Sequence, residues 1–159
     1  MLEAFAQVKN LNPALHLLFV GSGAMLPSLE SRARSLGIAE RCSFEPATKE
    51  VTARLGAIDI FVLPSLSEAL SNALMEAMAC GCAVVASRVG GNPELVLDGE
   101  TGLLFEKADA AGLAARLRLL IEDKTLRRQL ACAGSRMIRE KYSLESSARR
   151  MEQIYESFL

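Results

Sequence analysis

The chain has 159 residues, half of them hydrophobic (50%), with 18 Lys and Arg, 19 Asp and Glu, and a formal net charge of −1. This composition excludes an intrinsically disordered chain, and the charge balance gives no electrostatic reason to expect nucleic acid or an anionic membrane as a partner. No apolar run approaches the roughly 20 residues of a membrane span. The residues after Met1 do not have the basic and then apolar order of a secretory signal. We therefore expect one cytoplasmic domain.

The four cysteines do not have the spacing of a disulfide scaffold or of a metal site: Cys42, Cys80, Cys82 and Cys132. Because His16 is the only histidine, we expect no zinc site and no Cys/His dyad. We expect reduced thiols, as is usual in cytosol. His16 itself lies at the start of an apolar run, where a packed histidine is expected rather than a catalytic one.

The hydrophobic pattern predicts short strands that alternate with helices. The pattern predicts five strands, at 16–20, 41–44, 59–63, 83–86 and 102–105. Helices are predicted before and between the first four of them, at 1–9, 26–36, 48–58 and 71–80. These strands are apolar throughout, which is typical of a parallel sheet with helices on both faces. In the helix at 48–58 we expect Val51 and Leu55 to face the core.

The C-terminal part changes character, since three amphipathic helices follow without a strand between them, at 109–122, 125–142 and 144–158. We predict an α/β domain of the Rossmann-like type over 1–142. Residues 143–159 are predicted to form a separate amphipathic helix, packed on that domain or on a partner.

The stretch from Pro64 to Gly81 carries the most chemical information, because it joins a strand end to a helix start, where open α/β sheets bind ligands. Ser71 is a plausible N-cap, and the free amides behind it would suit a phosphate. Glu68 and Glu76 are eight positions apart, and their carboxylates could accept hydrogen bonds from the paired hydroxyls of a sugar. The position of Glu76 between apolar neighbours is equally typical of a solvent-facing glutamate.

This stretch resembles the E-x7-E signature of retaining GT-B glycosyltransferases, in particular the large group 1 family (family 4). The similarity extends over essentially the whole chain and includes segments 59–65, 76–81, 83–87, 90–94 and 99–104. The resemblance implies the C-terminal, Rossmann-like domain that binds the nucleotide-sugar donor. It also implies transfer of a sugar with retention, without a metal or other cofactor.

The resemblance assigns a role to each matching position. Glu68 would contact the donor sugar next to the reacting carbon, as the catalytic residue, and Glu76 would accept hydrogen bonds from the ribose. The other donor-binding residues it implies are Ala69, Leu70, Ser71 and Asn72 at the diphosphate, Gly21 and Gly23 along the nucleotide cleft, and Glu45 and Pro46 in the segment 44–46 at the nucleobase.

The chain departs from the family pattern in three ways. Ala69 and Pro46 stand where the family usually has glycine, and proline has no N–H to offer a base. The family strand with a Gly-Arg pair and the loop with a lysine, which grip the diphosphate, would precede residue 1. The N-terminal, acceptor-binding domain would also precede it. We therefore expect that residues 1–159 alone transfer no sugar.

The missing strand would be the central one in a doubly wound sheet of order 3-2-1-4-5-6. We expect the strands at 16–20 and 59–63 to flank its place, either closed against each other or with unpaired edges. The last helix carries an apolar stripe of Met151, Ile154, Tyr155 and Phe158. Either surface would favour self-association.

The sequence thus predicts the donor domain of a retaining glycosyltransferase, in a cytoplasmic enzyme that is either free or peripheral at the inner membrane. A non-catalytic nucleotide-binding or interaction module is the alternative.

Overall fold

The computed structural model describes residues 1–158, which form five short strands and eight α-helices. The strands are β1 (Leu17–Val20), β2 (Cys42–Glu45), β3 (Ile60–Leu63), β4 (Ala83–Ser87) and β5 (Leu103–Phe105). The helices are α1 (Leu2–Val8), α2 (Leu26–Ser35), α3 (Val51–Leu55), α4 (Asn72–Ala79), α5 (Asn92–Leu95), α6 (Ala110–Glu122), α7 (Lys124–Lys141) and α8 (Leu144–Glu156). All five predicted strands are present, each within one residue of its predicted position at either end.

The strands form two parallel sheets rather than one. β1 pairs with β2, from Leu17 opposite Cys42 onwards, and β4 pairs with β3 on one side and β5 on the other. Within residues 1–158, β1 and β3 do not pair with each other. The two orders, β2-β1 and β3-β4-β5, are compatible with the two halves of a doubly wound sheet. Of the two predicted outcomes, the structure has the second: β1 and β3 do not close up on each other within residues 1–158. That another strand belongs between them stays a prediction.

Two apolar clusters cover the two faces of the three-stranded sheet, because successive side chains of a strand point to opposite faces. One cluster joins α1, α2 and α6 to β1, β2 and to Ile60, Val62, Ala83 and Val85. The other joins α4 and α7 to Phe61, Leu63, Val84 and Ala86. Because β4 is buried on both faces, its sequence is apolar at four consecutive positions. The predicted parallel arrangement with helices on both faces is confirmed.

The helix predicted at 48–58 is wrong in its extent and in one of its core residues. Only Val51–Leu55 is helical; Leu55 is buried as predicted, but Val51 is 39% exposed. The backbone N–H of Glu50 donates to the Thr48 hydroxyl (3.1 Å), so a local turn replaces the first turn of the predicted helix. A helix of five residues then turns only one apolar side chain fully inward.

His16 does not pack in the core as predicted. It is exposed, and its Nε2 is 2.8 Å from the Ser43 hydroxyl on the neighbouring strand. The second cluster covers β3, β4 and β5 but does not extend over β1 and β2, and Val20 at the end of β1 is 43% exposed. His16 is four residues before Val20, so its side chain points to the same uncovered side of the strand rather than into the core.

Two further differences concern the C-terminal half. The short helix α5 occupies part of a loop that the sequence did not predict to be helical, and Pro93 near its start is pre-organised for a first helical turn. α8 has no buried residue. Leu159, the end of the predicted segment 143–159, lies outside the described residues. Among residues 1–158 no helix combines the length and the apolar character needed to cross a membrane.

Candidate active site

The loop between β3 and α4 presents Glu68 at the carboxyl end of β3. Its carboxylate oxygen Oε1 accepts a hydrogen bond from the Ser65 hydroxyl at 2.7 Å. The other oxygen, Oε2, has no hydrogen-bond partner within residues 1–158. The loop thus fixes one oxygen of Glu68 and leaves the second available to a ligand.

Ser71 ends this loop and caps α4, as predicted. Its hydroxyl accepts a hydrogen bond from the Leu74 N–H (3.3 Å), and its backbone is extended, which is the usual N-cap conformation. The first amides of a helix have no acceptor inside the helix, so the N–H groups of Asn72 and Ala73, which follow Glu68 closely in the sequence, remain available to a ligand. An anion at this end of α4 would also be favoured by the helix dipole.

Glu76 lies on the exposed side of α4. Its neighbours at two positions on either side, Leu74 and Met78, are completely buried, so the carboxylate points away from the core. This placement fits both interpretations of the sequence, a ribose ligand and a solvated side chain. At this exposed position, Glu76 is not needed for the packing of the core.

The turn after β4 contains Gly90 and Gly91, and this glycine turn holds the main chain of the Glu68 loop in place. The Gly91 N–H donates to the Ala69 carbonyl at 2.7 Å. Gly90 has a left-handed backbone (φ +51°), and a methyl group there would overlap the carbonyl oxygen of Glu68. The two glycines are required because the two loops meet backbone to backbone.

A groove of about 240 Å³ opens at the carboxyl ends of β1 and β2. It brings together three predicted donor-binding residues, Gly21, Gly23 and Glu45. The Gly21 N–H donates to the Glu45 carbonyl (2.9 Å), which closes the end of the groove. Apart from Ser22, its remaining walls are apolar and include the stacked rings of Phe19 and Phe44, with centroids 5.0 Å apart. This is an apolar slot that ends in backbone groups.

The side chain of Glu45 does not point freely into this groove, because its carboxylate pairs with Arg54 of α3 at 2.9 Å. Pro46 follows Glu45 and is exposed beside the groove. A ligand at this position would therefore meet Glu45 mainly through its backbone.

A larger groove, of about 460 Å³, lies between α7 and Gly81, which follows α4. Two of its polar groups are already occupied, since the Ser135 hydroxyl and the Arg139 guanidinium both donate to the Ala79 carbonyl (3.4 Å each). This groove lies at the opposite end of α4 from Ser71 and has none of the predicted site residues.

Sequence reasoning missed Ser65 as a partner of Glu68. The signal was present, because a serine three residues before a glutamate in a Pro-initiated loop can reach its carboxylate. Gly90 and Gly91 were recognised only as a matching segment, since their contact with the Glu68 loop joins parts of the chain that are 22 residues apart.

Comparison with known proteins decides the family. The family model for "Glycosyl transferases group 1" matches residues 1–137. The chain belongs to the group 1 glycosyl transferases. The match includes the Glu68 loop, α4 and the glycine turn, so the predicted resemblance is confirmed.

Relatives of this group 1 chain are longer than the chain itself. It is 32% identical over 146 residues to the lipopolysaccharide core biosynthesis glycosyltransferase LpsE of Rhizobium meliloti, covering 92% of this chain but only 42% of LpsE. The chain thus spans about two fifths of that relative.

In a solved structure of a longer protein, this chain again matches about two fifths of the length. Sucrose-phosphate synthase from Thermosynechococcus elongatus superposes with a TM-score of 0.85 at 29% identity, over 99% of this chain and 42% of that one. The isolated C-terminal domain of a group 1 glycosyl transferase (LpcC) from Francisella tularensis gives a TM-score of 0.83 at 28% identity, over 90% of this chain and 77% of that domain. The match to a C-terminal domain alone is therefore much more complete than the match to a whole enzyme.

Proposed function

We propose that this chain is the donor-binding domain of a retaining glycosyltransferase, in which Glu68 contacts the sugar of a nucleotide-sugar donor. One observation carries the proposal: the loop after β3 holds Glu68 through Ser65 directly before the capped start of α4. A carboxylate for sugar hydroxyls and free helix amides for a diphosphate are thereby adjacent in the sequence and at one strand end.

The arrangement accounts for the chemistry that such a donor needs. Breaking the bond between sugar and diphosphate leaves negative charge on the phosphate, and amides of Asn72 and Ala73 at the positive end of α4 would stabilise that charge. Oε2 of Glu68 would accept a hydrogen bond from a sugar hydroxyl next to the reacting carbon. The β1–β2 groove would take the nucleobase between Gly21 and Glu45, and Glu76 would take the ribose.

Transfer to an acceptor is proposed only for a longer protein. Orienting two reactants accounts for several kcal/mol of a reaction barrier, and an acceptor-binding domain must supply that orientation. The chain spans about two fifths of its relatives, so we expect residues 1–159 to bind donor and at most to hydrolyse it slowly.

The decisive experiment measures binding of UDP, GDP and ADP, each with and without an attached hexose, to the protein produced from its complete reading frame. Isothermal titration calorimetry should find one nucleotide series that binds, and Glu68→Gln should weaken the sugar-bearing member more than the free nucleotide. Glu100→Gln, at an exposed glutamate in the turn before β5, is the matched control. If Glu68→Gln leaves both affinities unchanged, Glu68 has no contact with the sugar.

A non-catalytic interaction module is the competing function, and the exposed apolar side of α8 would be its binding surface. Ile154 is 53% exposed and Tyr155 is 65% exposed, which is typical of a surface that packs on another domain. A protein that binds none of the six nucleotides, but whose α8 is covered in a complex, would be such a module.

A further inference from the structure

A hydrogen-bond network connects α5 with Glu68, and it is buried at its Asn92 and Ser87 end. The side-chain amide of Asn92 donates to the Ser87 carbonyl (2.9 Å), and the Ser87 hydroxyl donates to the Ser65 carbonyl (2.7 Å). The Ser65 hydroxyl in turn donates to Oε1 of Glu68 (2.7 Å). We call these four residues the serine network.

The network begins where the β3–β4 ladder ends. The last paired residues are Leu63 and Ala86, and the next residue of β4 is Ser87, a completely buried serine after four apolar residues. A buried hydroxyl is unfavourable unless it is hydrogen-bonded. Its bond to the Ser65 carbonyl extends the crosslink between the two strands beyond the ladder, to the residue whose own hydroxyl holds Glu68.

Asn92 holds the other end of this crosslink. It is completely buried, and within residues 1–158 its Oδ1 has no hydrogen-bond partner. An aliphatic side chain would avoid that unfavourable burial, so packing alone does not explain an asparagine here. The amide fixes the Ser87 carbonyl at the point where the chain leaves β4 for the glycine turn.

The glycine turn adds a second attachment on the other side of Glu68, through the hydrogen bond from Gly91 to the Ala69 carbonyl (2.7 Å). The main chain is therefore held at Ser65 and at Ala69, and the Glu68 side chain is held by Ser65. Because Oε1 accepts a hydrogen bond from Ser65, the network determines the orientation of the Glu68 carboxylate and therefore the direction in which Oε2 points.

We propose that Ser65 and Ser87 are positioning residues that aim Oε2 of Glu68 at the donor sugar, an inference that rests on the proposed function of Glu68. Their effect is then confined to the sugar part of the donor. The nucleotide part, held by α4 and the β1–β2 groove, does not depend on them.

The test uses the nucleotide series that binds to the wild-type protein, and compares the free nucleotide diphosphate with its sugar derivative by calorimetry. Ser65→Ala should weaken binding of the sugar derivative by about three- to tenfold, which is the effect of one hydrogen bond. Binding of the free nucleotide should not change. Ser65→Thr keeps a hydroxyl and should restore the affinity, and Ser87→Ala should act in the same direction as Ser65→Ala.

Ser135→Ala on α7 is the control: like Ser65→Ala it removes the hydroxyl of a half-buried serine, and like Ser87→Ala it removes a bond to a backbone carbonyl. In Ser135→Ala, the ratio of the affinity for the nucleotide sugar to the affinity for the free nucleotide should equal the wild-type ratio. Equal losses for nucleotide and nucleotide sugar in Ser65→Ala, or no loss at all, would overturn the inference while Glu68→Gln still tests the proposed function separately. A wild-type protein that binds none of the probes would overturn both.

Discussion

Gly90 lies directly against the backbone carbonyl of Glu68, so closely that a methyl group on Gly90 would overlap its oxygen. The turn that carries Gly90 follows β4, whereas Glu68 follows β3. The position of the candidate catalytic loop is therefore determined by the backbone of a neighbouring loop as well as by its own sequence.

Replacing Gly90 by alanine should destabilise the fold and displace the Glu68 loop. A left-handed backbone costs about 1–2 kcal/mol for a residue with a Cβ, and the overlap with the Glu68 carbonyl adds to this. Gly99→Ala is the matched control, because Gly99 also has a positive φ (+82°) but open space where the new methyl group would lie, with no atom within 4 Å. Urea unfolding should show a larger loss of stability for Gly90→Ala; equal losses would show that the overlap relaxes without cost.

Glu76→Ala should weaken nucleotide binding without destabilising the protein. A charge-assisted pair of hydrogen bonds to ribose hydroxyls is worth about 1.5–3 kcal/mol, and the exposed position on α4 leaves packing unchanged. Calorimetry with the free nucleotide and a thermal melt of the same variant measure the two effects. Unaltered nucleotide affinity would assign Glu76 to the solvated face of α4.

Leu74→Ala should destabilise the fold by about 2–5 kcal/mol, since it deletes a completely buried side chain under the first turn of α4. Leu144→Ala, at a residue that is 92% exposed, should leave the unfolding free energy within about 0.5 kcal/mol of the wild type. Denaturant unfolding of both variants checks the pair. Similar losses for the two would contradict the division into a packed domain and an uncovered helix α8.

Cys82 should make stability depend on alkaline pH. Burial, with smaller contributions from Cys80 and Asp59, raises the pKa of the Cys82 thiol to about 11 from an ordinary value of 9.0. The unfolded chain then loses this proton at lower pH than the folded chain, so the stabilising contribution is complete below pH 9 and is lost as pH rises from 9 towards 11. Cys82→Ala should flatten this part of the pH profile of unfolding, and Cys132→Ala, at an exposed thiol, should not.

The isolated chain should self-associate. β1 and β3 have unpaired edges within residues 1–158, and α8 carries an uncovered apolar side. Light scattering over a concentration series should give masses above the 17.1 kDa of a monomer. Ile154→Asp separates the two surfaces: association through α8 should disappear, and association through the strand edges should persist. A monomer at every concentration would contradict both routes.

The strand positions were predictable because each strand is a short apolar run between turn signals, as in Ile60–Leu63. The cap at Ser71 was predictable for a local reason, since a serine can satisfy the amide three residues later. In both cases the determining interactions lie within a few residues of one another.

The contacts that hold Glu68 were not predictable in the same way. Ser87 bonds to Ser65, and Gly90 touches Glu68, across a separation of 22 residues, and each contact depends on how two loops meet above adjacent strands. The prediction that Val51 faces the core was wrong because a side-chain hydrogen bond at Thr48 shortened the helix that contains Val51. Such competition between local turns and helices is decided by tertiary packing.

Because β1 and β3 are not paired within residues 1–158, the structure has a consequence for folding cooperativity. No backbone ladder joins the two sheets within residues 1–158, so they are coupled mainly through side-chain packing in the cluster that includes Phe5, Leu17, Val85 and Leu117. Cooperative units of this kind open independently when few bonds cross between them. Amide hydrogen exchange should therefore divide the domain into two units, with slow exchange in β4 and faster opening of β1 and β2.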